Sequence, residues 1–299
     1  MVNRSLRPVC ERALYRSISL PWHPCRSLRL LETFLLRPDL ALLVWHLEID
    51  HGCRYPFPPD EVSAVLQPVA LKAIRLVKNI QSLSLDGVWI WKPEMAKFRE
   101  AIFNLKLARL EVPFINDPHT ERFCVIDVFD DDGQAGRWNG PTENWGGDLG
   151  NEIRRLLQAQ PLLEEFKLSA MAISSTTMTS LRANLKATDV PSLKSLQASP
   201  YVAMPFLRVA PRLESLNLMR TSWNDALLSE MEINSVTIKA SIRCITIAVL
   251  QSPLGRKWFW DNMAKVFSLF PNTEQLTVKI NPLTLGRSVT SANYYFNAV

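Results

Sequence analysis

Glycine is scarce, at ten residues in 299, and no Gly-rich loop of the kind that cradles phosphates occurs. No Gly-x-Ser-x-Gly elbow or paired-histidine zinc helix occurs either. The sequence therefore predicts no nucleotide-binding scaffold, no cofactor and no enzyme activity. Cysteine is limited to Cys10, Cys25, Cys53, Cys124 and Cys244, an odd number without a Cys-x-x-Cys pair. That excludes a disulfide framework and a zinc ribbon, and it predicts reduced thiols in a cytoplasmic or nuclear protein. His46, His51 and Cys53 lie close together, but no fourth ligand accompanies them, so no metal site is expected. Long apolar runs are also missing. The best candidate, Leu28 to Ile49, is broken by Arg37, Pro38 and Asp39. Arg4, Arg7, Arg12 and Arg16 have no apolar segment behind them, which argues against a secretory signal and fits an amphipathic helix.

What is present describes a folded chain. Hydrophobic residues make up 47% and charged residues 21%, which excludes intrinsic disorder. The net charge is +5, from 34 basic residues against 29 acidic ones. That is a mild excess, and it calls for neither a nucleic-acid nor a membrane partner.

The dominant feature is a repeated frame of the form Leu-x-x-Leu-x-Leu. Its best copies are Ile80-x-x-Leu83-x-Leu85, Leu107-x-x-Leu110-x-Val112, Leu163-x-x-Phe166-x-Leu168, Leu213-x-x-Leu216-x-Leu218 and Ile242-x-x-Ile245-x-Ile247. Val44-x-x-Leu47-x-Ile49, Leu193-x-x-Leu196-x-Ala198 and Thr273-x-x-Leu276-x-Val278 are weaker copies, and Phe123-x-x-Ile126-x-Val128 is a further candidate strand. Pro161, Pro191, Pro211 and Pro271 each stand two places ahead of a frame. Proline lacks a backbone donor and keeps its predecessor out of helical conformation, so it stops a helix just before a strand. Between frames the spacing is helical. Pro93 opens a helix bearing Met95, Phe98, Ile102 and Phe103, and Asn151 is expected to cap one bearing Ile153, Leu156 and Leu157. Asn224 is expected to cap another bearing Leu227, Leu228 and Met231, and Trp258, Met263, Phe267 and Phe270 form a later apolar face. One strand and one helix per unit predict parallel strands joined by crossovers, stacked as a solenoid.

These frames resemble leucine-rich repeats of the longer, irregular kind. The resemblance implies an α/β leucine-rich-repeat solenoid over 28–299, with a parallel concave sheet, helices on the convex side and an inserted loop near 129–150. The stretch Ser5-Leu6-Arg7-Pro8-Val9-Cys10 through Leu14-Tyr15-Arg16-Ser17-Ile18 resembles the end of an F-box helix and its exit in fungal F-box proteins with leucine-rich repeats. Residues 26–36 and 254–270 are similar to that group as well. Residues 1–27 are then a remnant of the F-box C-terminal helix or an N-terminal cap. The implied function is a non-catalytic protein-recognition module, like the substrate receptor of a Skp–cullin–F-box ubiquitin ligase. Only the end of the F-box is matched, so docking of a Skp-type adaptor is expected to be incomplete. The alternative is a ubiquitin-independent repeat scaffold or regulatory binder, and it is expected if Leu14, Tyr15 and Ile18 pack on the first repeat.

Because side chains alternate along a strand, residues between the frame positions face outward. One outward column holds His46, Ser82, Arg109, Glu165, Ser195, Ser215, Cys244 and Gln275. The next holds Glu48, Ser84, Glu111, Lys167, Gln197, Asn217, Thr246 and Thr277, and a third includes Asp50 and Asp86. The polar columns fit a sheet with one wet face. Candidate partner-binding residues are His46, Glu48, Asp50, Asp86, Arg109, Glu111, Glu165 and Lys167, with Trp138 and Trp145 in the loop. The N-terminal columns lean acidic, which favours a basic protein segment over nucleic-acid phosphates. The Asp130-Asp131-Asp132-Gly133 string lacks the ligand spacing of a calcium loop.

Overall fold

The computed structural model describes residues 6–20, 24–49, 68–69, 71–85, 96–112, 128–129, 135–136, 149–168, 175–221, 228–229, 231–232, 241–250, 253–281 and 292–297. It divides into two compact units. The first is Met1–Phe114 with Leu156–Phe166, and the second is Ile115–Arg155 with Lys167–Val299.

The first unit opens with helix α1 (Arg7–Tyr15), strand β1 (Ser17–Leu20), and helices α2 (Pro24–Leu36) and α3 (Pro38–Ala41). Strands β2 (His46–Ile49) and β3 (Ser82–Leu85), helix α4 (Ala96–Phe103) and strand β4 (Arg109–Val112) follow. Its sheet runs in chain order, with β1, β2, β3 and β4 parallel to their neighbours. The small strands β5 (Val128–Phe129) and β6 (Ala135–Gly136) come next, then helix α5 (Leu149–Gln158) and strand β7 (Glu165–Leu168), whose first two residues belong to the first unit.

In the second unit helix α6 (Ser175–Asn184) leads through a 3-10 turn (Ala187–Asp189) to strand β8 (Ser195–Ala198) and helix α7 (Pro200–Val209). Strands β9 (Ser215–Thr221) and β10 (Cys244–Leu250), helix α8 (Pro253–Ser268) and strands β11 (Gln275–Asn281) and β12 (Ala292–Asn297) complete it. Strands β8 to β11 are parallel, and β12 returns antiparallel against β11. Helix α7 packs on β8 and β9, and α8 on β10. Parallel strands in sequence order with helical returns are the α/β repeat architecture that the leucine frames predict.

The local cause of the repeat is a turn. In each registered copy the residue before proline accepts a hydrogen bond from the first frame residue. The N–H of Leu163 donates to Gln160, Leu193 to Val190, Leu213 to Ala210 and Thr273 to Phe270, at 3.0, 3.4, 3.3 and 3.2 Å. Proline thus occupies the second position of a four-residue turn, where its fixed φ is already correct. Ile80 closes the same turn on Val77 with Lys78 and Asn79 in the middle, so proline favours this turn but is not required for it.

A second device follows directly. Within each unit the carbonyl one residue before a strand accepts two N–H groups from the next coil. In the first unit Arg16 accepts from Trp45 and His46, Trp45 from Gln81 and Ser82, Gln81 from Ala108 and Arg109, and Ala108 from Glu164 and Glu165. In the second unit Lys194, Glu214 and Arg243 do the same for the coil that follows each of them. Each of these coils is therefore locked in register before its strand begins.

Behind the strands lies an apolar ladder. Leu83 pairs in register with Leu110, and Leu196 with Leu216, and all four are fully buried. Ile18, Leu47, Phe166, Ile245 and Leu276 occupy the same column in their coils, each less than a tenth exposed. Each such side chain contributes about 1.5–3 kcal/mol relative to exposure.

Several local expectations need correction. Asn151 does not cap α5, since the helix reaches back to Leu149 and Asn151 lies inside it. The apolar positions were read correctly, with Ile153, Leu156 and Leu157 all buried. Val128 does not extend the repeat sheet. It pairs with Gly136 in the antiparallel β5–β6 hairpin, and the rest of the Phe123 frame lies outside the described residues. In α8 and the turn after it the buried set is Val266, Leu269 and Phe270, while Met263 and Phe267 are half-buried. Leu228 and Met231 are buried as expected, whereas Pro93, Met95 and Asn224 lie outside the described residues. Strand β1 is an addition, because Tyr15-x-x-Ile18-x-Leu20 is a degenerate frame whose first position is aromatic.

Candidate recognition surface

Alternation along the short strands sorts the outward side chains into columns, and the two units fill them differently. In the first unit His46 and Glu48 are exposed on β2, Ser84 and Glu111 are half-buried on β3 and β4, and Arg109 is exposed. Register places Glu48 beside Ser84 and Ser84 beside Glu111. The Arg109 guanidinium forks onto the Glu165 carboxylate, with Nη2 donating to Oε1 at 2.7 Å and Nε lying 2.6 Å from Oε2. That bidentate pair is more than two-fifths exposed on both sides, so its role is to set charge and geometry rather than stability. Three carboxylates against one guanidinium leave this face net negative.

In the second unit the outward positions of β8, β9 and β10 carry no charge. They are Ser195, Gln197, Ser215, Asn217, Cys244 and Thr246, all half-buried. Asn217 donates to the Gln197 side-chain oxygen at 3.0 Å, and the Gln197 amide reaches the Met219 sulfur at 2.8 Å. Charge in this unit sits on the entry rim, where Arg243 donates to Glu274 at 2.8 Å, and at the outward lysines of the flanking strands, Lys167 of β7 and the exposed Lys279 of β11. Lys167 is half-buried and belongs to this unit.

The structure therefore brings His46, Glu48, Arg109, Glu111 and Glu165 into outward columns of the first unit. Asp50, Asp86, Trp138 and Trp145 lie outside the described residues. Two residues that the frames did not single out belong with the first group. Trp45 is 39% exposed, and the Arg16 guanidinium stands over its ring, 4.9 Å from the centroid. Both occupy the position just before a strand, which a search confined to residues between frame leucines passes over.

The N-terminal helix is the other unusual surface. None of its residues is buried, and Leu6, Val9 and Leu14 are 54, 65 and 71% exposed. Positions 6, 9 and 10 and positions 13 and 14 recur at helical spacing, so Leu6, Val9, Cys10, Ala13 and Leu14 share one apolar stripe. The opposite side is anchored. Tyr15 meets Phe34 with ring centroids 6.1 Å apart, and Ile18 is buried. Glu11 bridges Arg7 at 3.0 Å and lies 3.7 Å from Arg37, which also holds Asp39 through two hydrogen bonds of 2.9 and 2.6 Å. Those hydrogen bonds hold the Asp39 carboxyl below the usual carboxylate range.

Among the described residues no group of three His, Cys, Asp or Glu side chains is placed to hold a metal, and no helix is long and apolar enough to cross a membrane. Comparison with models of protein families and with curated proteins gives no match. Among solved structures the chain is similar to the leucine-rich repeat-containing protein LegL7 from Legionella pneumophila. Identity is 15%, the TM-score is 0.45, and the alignment covers 83% of this chain and 70% of that one. What establishes the repeat in this chain is its own strand register and turn ladder.

Proposed function

We propose that this protein is a non-catalytic recognition scaffold that holds a basic protein segment on the outward sheet face of its first unit. The observation that carries the reading is the charge of that face. Glu48, Glu111 and Glu165 face outward there, against the Arg109 guanidinium, already engaged by Glu165, and the Arg16 guanidinium, stacked on Trp45. Negative potential on a rigid surface attracts a cationic segment and repels phosphate. Asp50 and Asp86 extend the same face by sequence, and Trp138 and Trp145 are proposed as additional anchors. The test uses short extended peptides of equal length, one lysine-rich and one glutamate-rich, followed by fluorescence anisotropy. The lysine peptide is expected to bind in a salt-dependent way, and Glu48→Lys with Glu111→Lys to abolish binding. Equal binding of both peptides, or indifference to the charge reversal, rejects the reading.

A second reading, substrate receptor of a Skp–cullin–F-box ligase, is favoured by one specific observation. The α1 stripe of Leu6, Val9 and Leu14 is exposed, and an apolar helical stripe of that kind is a docking surface for a partner. The packing of Tyr15 and Ile18 supports the ubiquitin-independent scaffold, in which this segment is an N-terminal cap, whereas Leu14, expected to pack with them, is 71% exposed. Titration with a purified Skp-type adaptor separates the two. Binding that is lost in Val9→Asp and Leu14→Asp supports the receptor, and no binding supports the scaffold.

A further inference from the structure

We infer that Trp45 is the apolar anchor of the first unit's recognition face, and that the segment it takes carries a large apolar side chain two residues from a lysine or arginine. This rests on the reading of that face as a site for a basic segment and names the sequence pattern it selects. Trp45 has an unusual combination of exposure and rigidity. Its N–H and that of His46 donate to the Arg16 carbonyl at 2.9 and 3.0 Å, and its own carbonyl accepts from Gln81 and Ser82 at 2.8 and 3.0 Å. Its ring is held under the Arg16 guanidinium, 4.9 Å from the centroid, yet 39% of the residue remains open to solvent. The same place in the following coils holds Gln81, Ala108 and Glu164, so the turn and ladder do not need an aromatic there. A large ring that the fold does not require, fixed on both backbone and side chain, is the kind of anchor that concentrates interface energy at low entropic cost.

Charge then chooses the occupant. Arg16 already covers one side of the ring, so a partner cation is disfavoured there and an aliphatic or aromatic group is favoured. Glu48, exposed three residues along the strand, lies about 10 Å further at the usual strand rise. An extended partner segment that sets an apolar side chain on Trp45 turns its next same-side residue, two places on and about 7 Å away, toward that carboxylate, which a lysine or arginine side chain is long enough to reach.

The test is anisotropy of the full chain with three labelled peptides that differ at two positions, Leu-x-Lys, Ser-x-Lys and Leu-x-Glu. The wild type is expected to prefer Leu-x-Lys over each of the others by at least about tenfold. Trp45→Ala is expected to erase the preference for leucine over serine while keeping the preference for lysine over glutamate. Arg16→Gln, which leaves the ring in place but releases it, is expected to give a partial loss. Unchanged melting curves for both variants confirm that the fold is intact, and if Trp45→Ala does melt lower, Trp45→Phe carries the test through the same leucine preference, expected to be reduced. A leucine preference that survives Trp45→Ala overturns the anchor and leaves the basic-segment reading standing. Failure of Leu-x-Lys to bind wild type overturns both.

Discussion

The two units share one backbone device and differ in what they show to solvent. In each, a carbonyl ahead of the strand gathers two N–H groups from the next coil, and the central ladder position is leucine, isoleucine or phenylalanine. The first unit then spends its outward positions on His46, Glu48, Arg109, Glu111 and Glu165. The second spends the matching positions of β8 to β10 on serine, glutamine, asparagine, cysteine and threonine, and ties two of the amides to each other. Inward positions decide whether the coils stack, and any polar residue satisfies an outward one. The outward columns are therefore free to differ, and their difference in charge is the basis on which a charged partner is proposed for the first unit.

That separation of roles can be broken most severely in the ladder. Leu216→Asp places a carboxylate where no water reaches and is expected to cost about 4 kcal/mol or more. Asn217→Asp, one residue on, loses only the hydrogen bond to Gln197 and is expected to cost less than about 1 kcal/mol. Denaturant melts of both variants check the pair, and equal effects would reverse the inside–outside assignment. Next in size is the one inward ion pair described in the second unit. Asp189 is 4% exposed, accepts from Arg154 Nε at 3.1 Å and from the Lys186 N–H at 2.9 Å. Arg154→Met takes the compensating cation from that buried carboxylate, leaving it the Lys186 N–H, and is expected to cost about 3 kcal/mol.

The first unit has a neutral counterpart. Gln160, 2% exposed, accepts the Leu107 N–H at 2.9 Å and donates to the carbonyls of Ile102 and Phe103 at 3.1 and 3.3 Å, which closes the end of α4. Gln160→Leu removes the acceptor of the Leu107 N–H and is expected to cost about 1–3 kcal/mol in the same melts. Arg109→Ala is expected to change stability by less than about 1 kcal/mol, yet to strengthen binding of a lysine-rich peptide by freeing Glu165. The smallest effect concerns Asp39. Its carboxyl titrates below its unfolded value because Arg37 donates to it, so its contribution is complete above the usual carboxylate range and disappears as pH falls through the lower folded value. The melting temperatures of wild type and Asp39→Asn should therefore differ slightly at neutral pH and converge in acid.

The inward half of this design was legible in the sequence because it obeys rigid rules. Pro161, Pro191, Pro211 and Pro271 announced their turns, since the second turn position is where proline fits best. Strand β1 was hidden because Tyr15 replaces an aliphatic residue at the first frame position, and β12 because an antiparallel closing strand carries no frame. Asn151 misled because a helix start depends on what precedes it as well as on a capping side chain. Thr273 marks the weakest copy physically, as its buried hydroxyl has no hydrogen-bond partner among the described residues. The outward half was legible as columns but not as contacts. The fork between Arg109 and Glu165 joins residues far apart in sequence, and the stack of Arg16 on Trp45 uses the one position that the alternation rule does not assign.

The contrast between the two faces is tested most directly by a footprint. Hydrogen exchange of the full chain, measured with and without a bound lysine-rich peptide, reads the strands of both units in one experiment. The account predicts added protection in 45–49, 82–85 and 109–112, with 195–198 and 215–218 unchanged. Protection confined to 195–198 and 215–218 would contradict it.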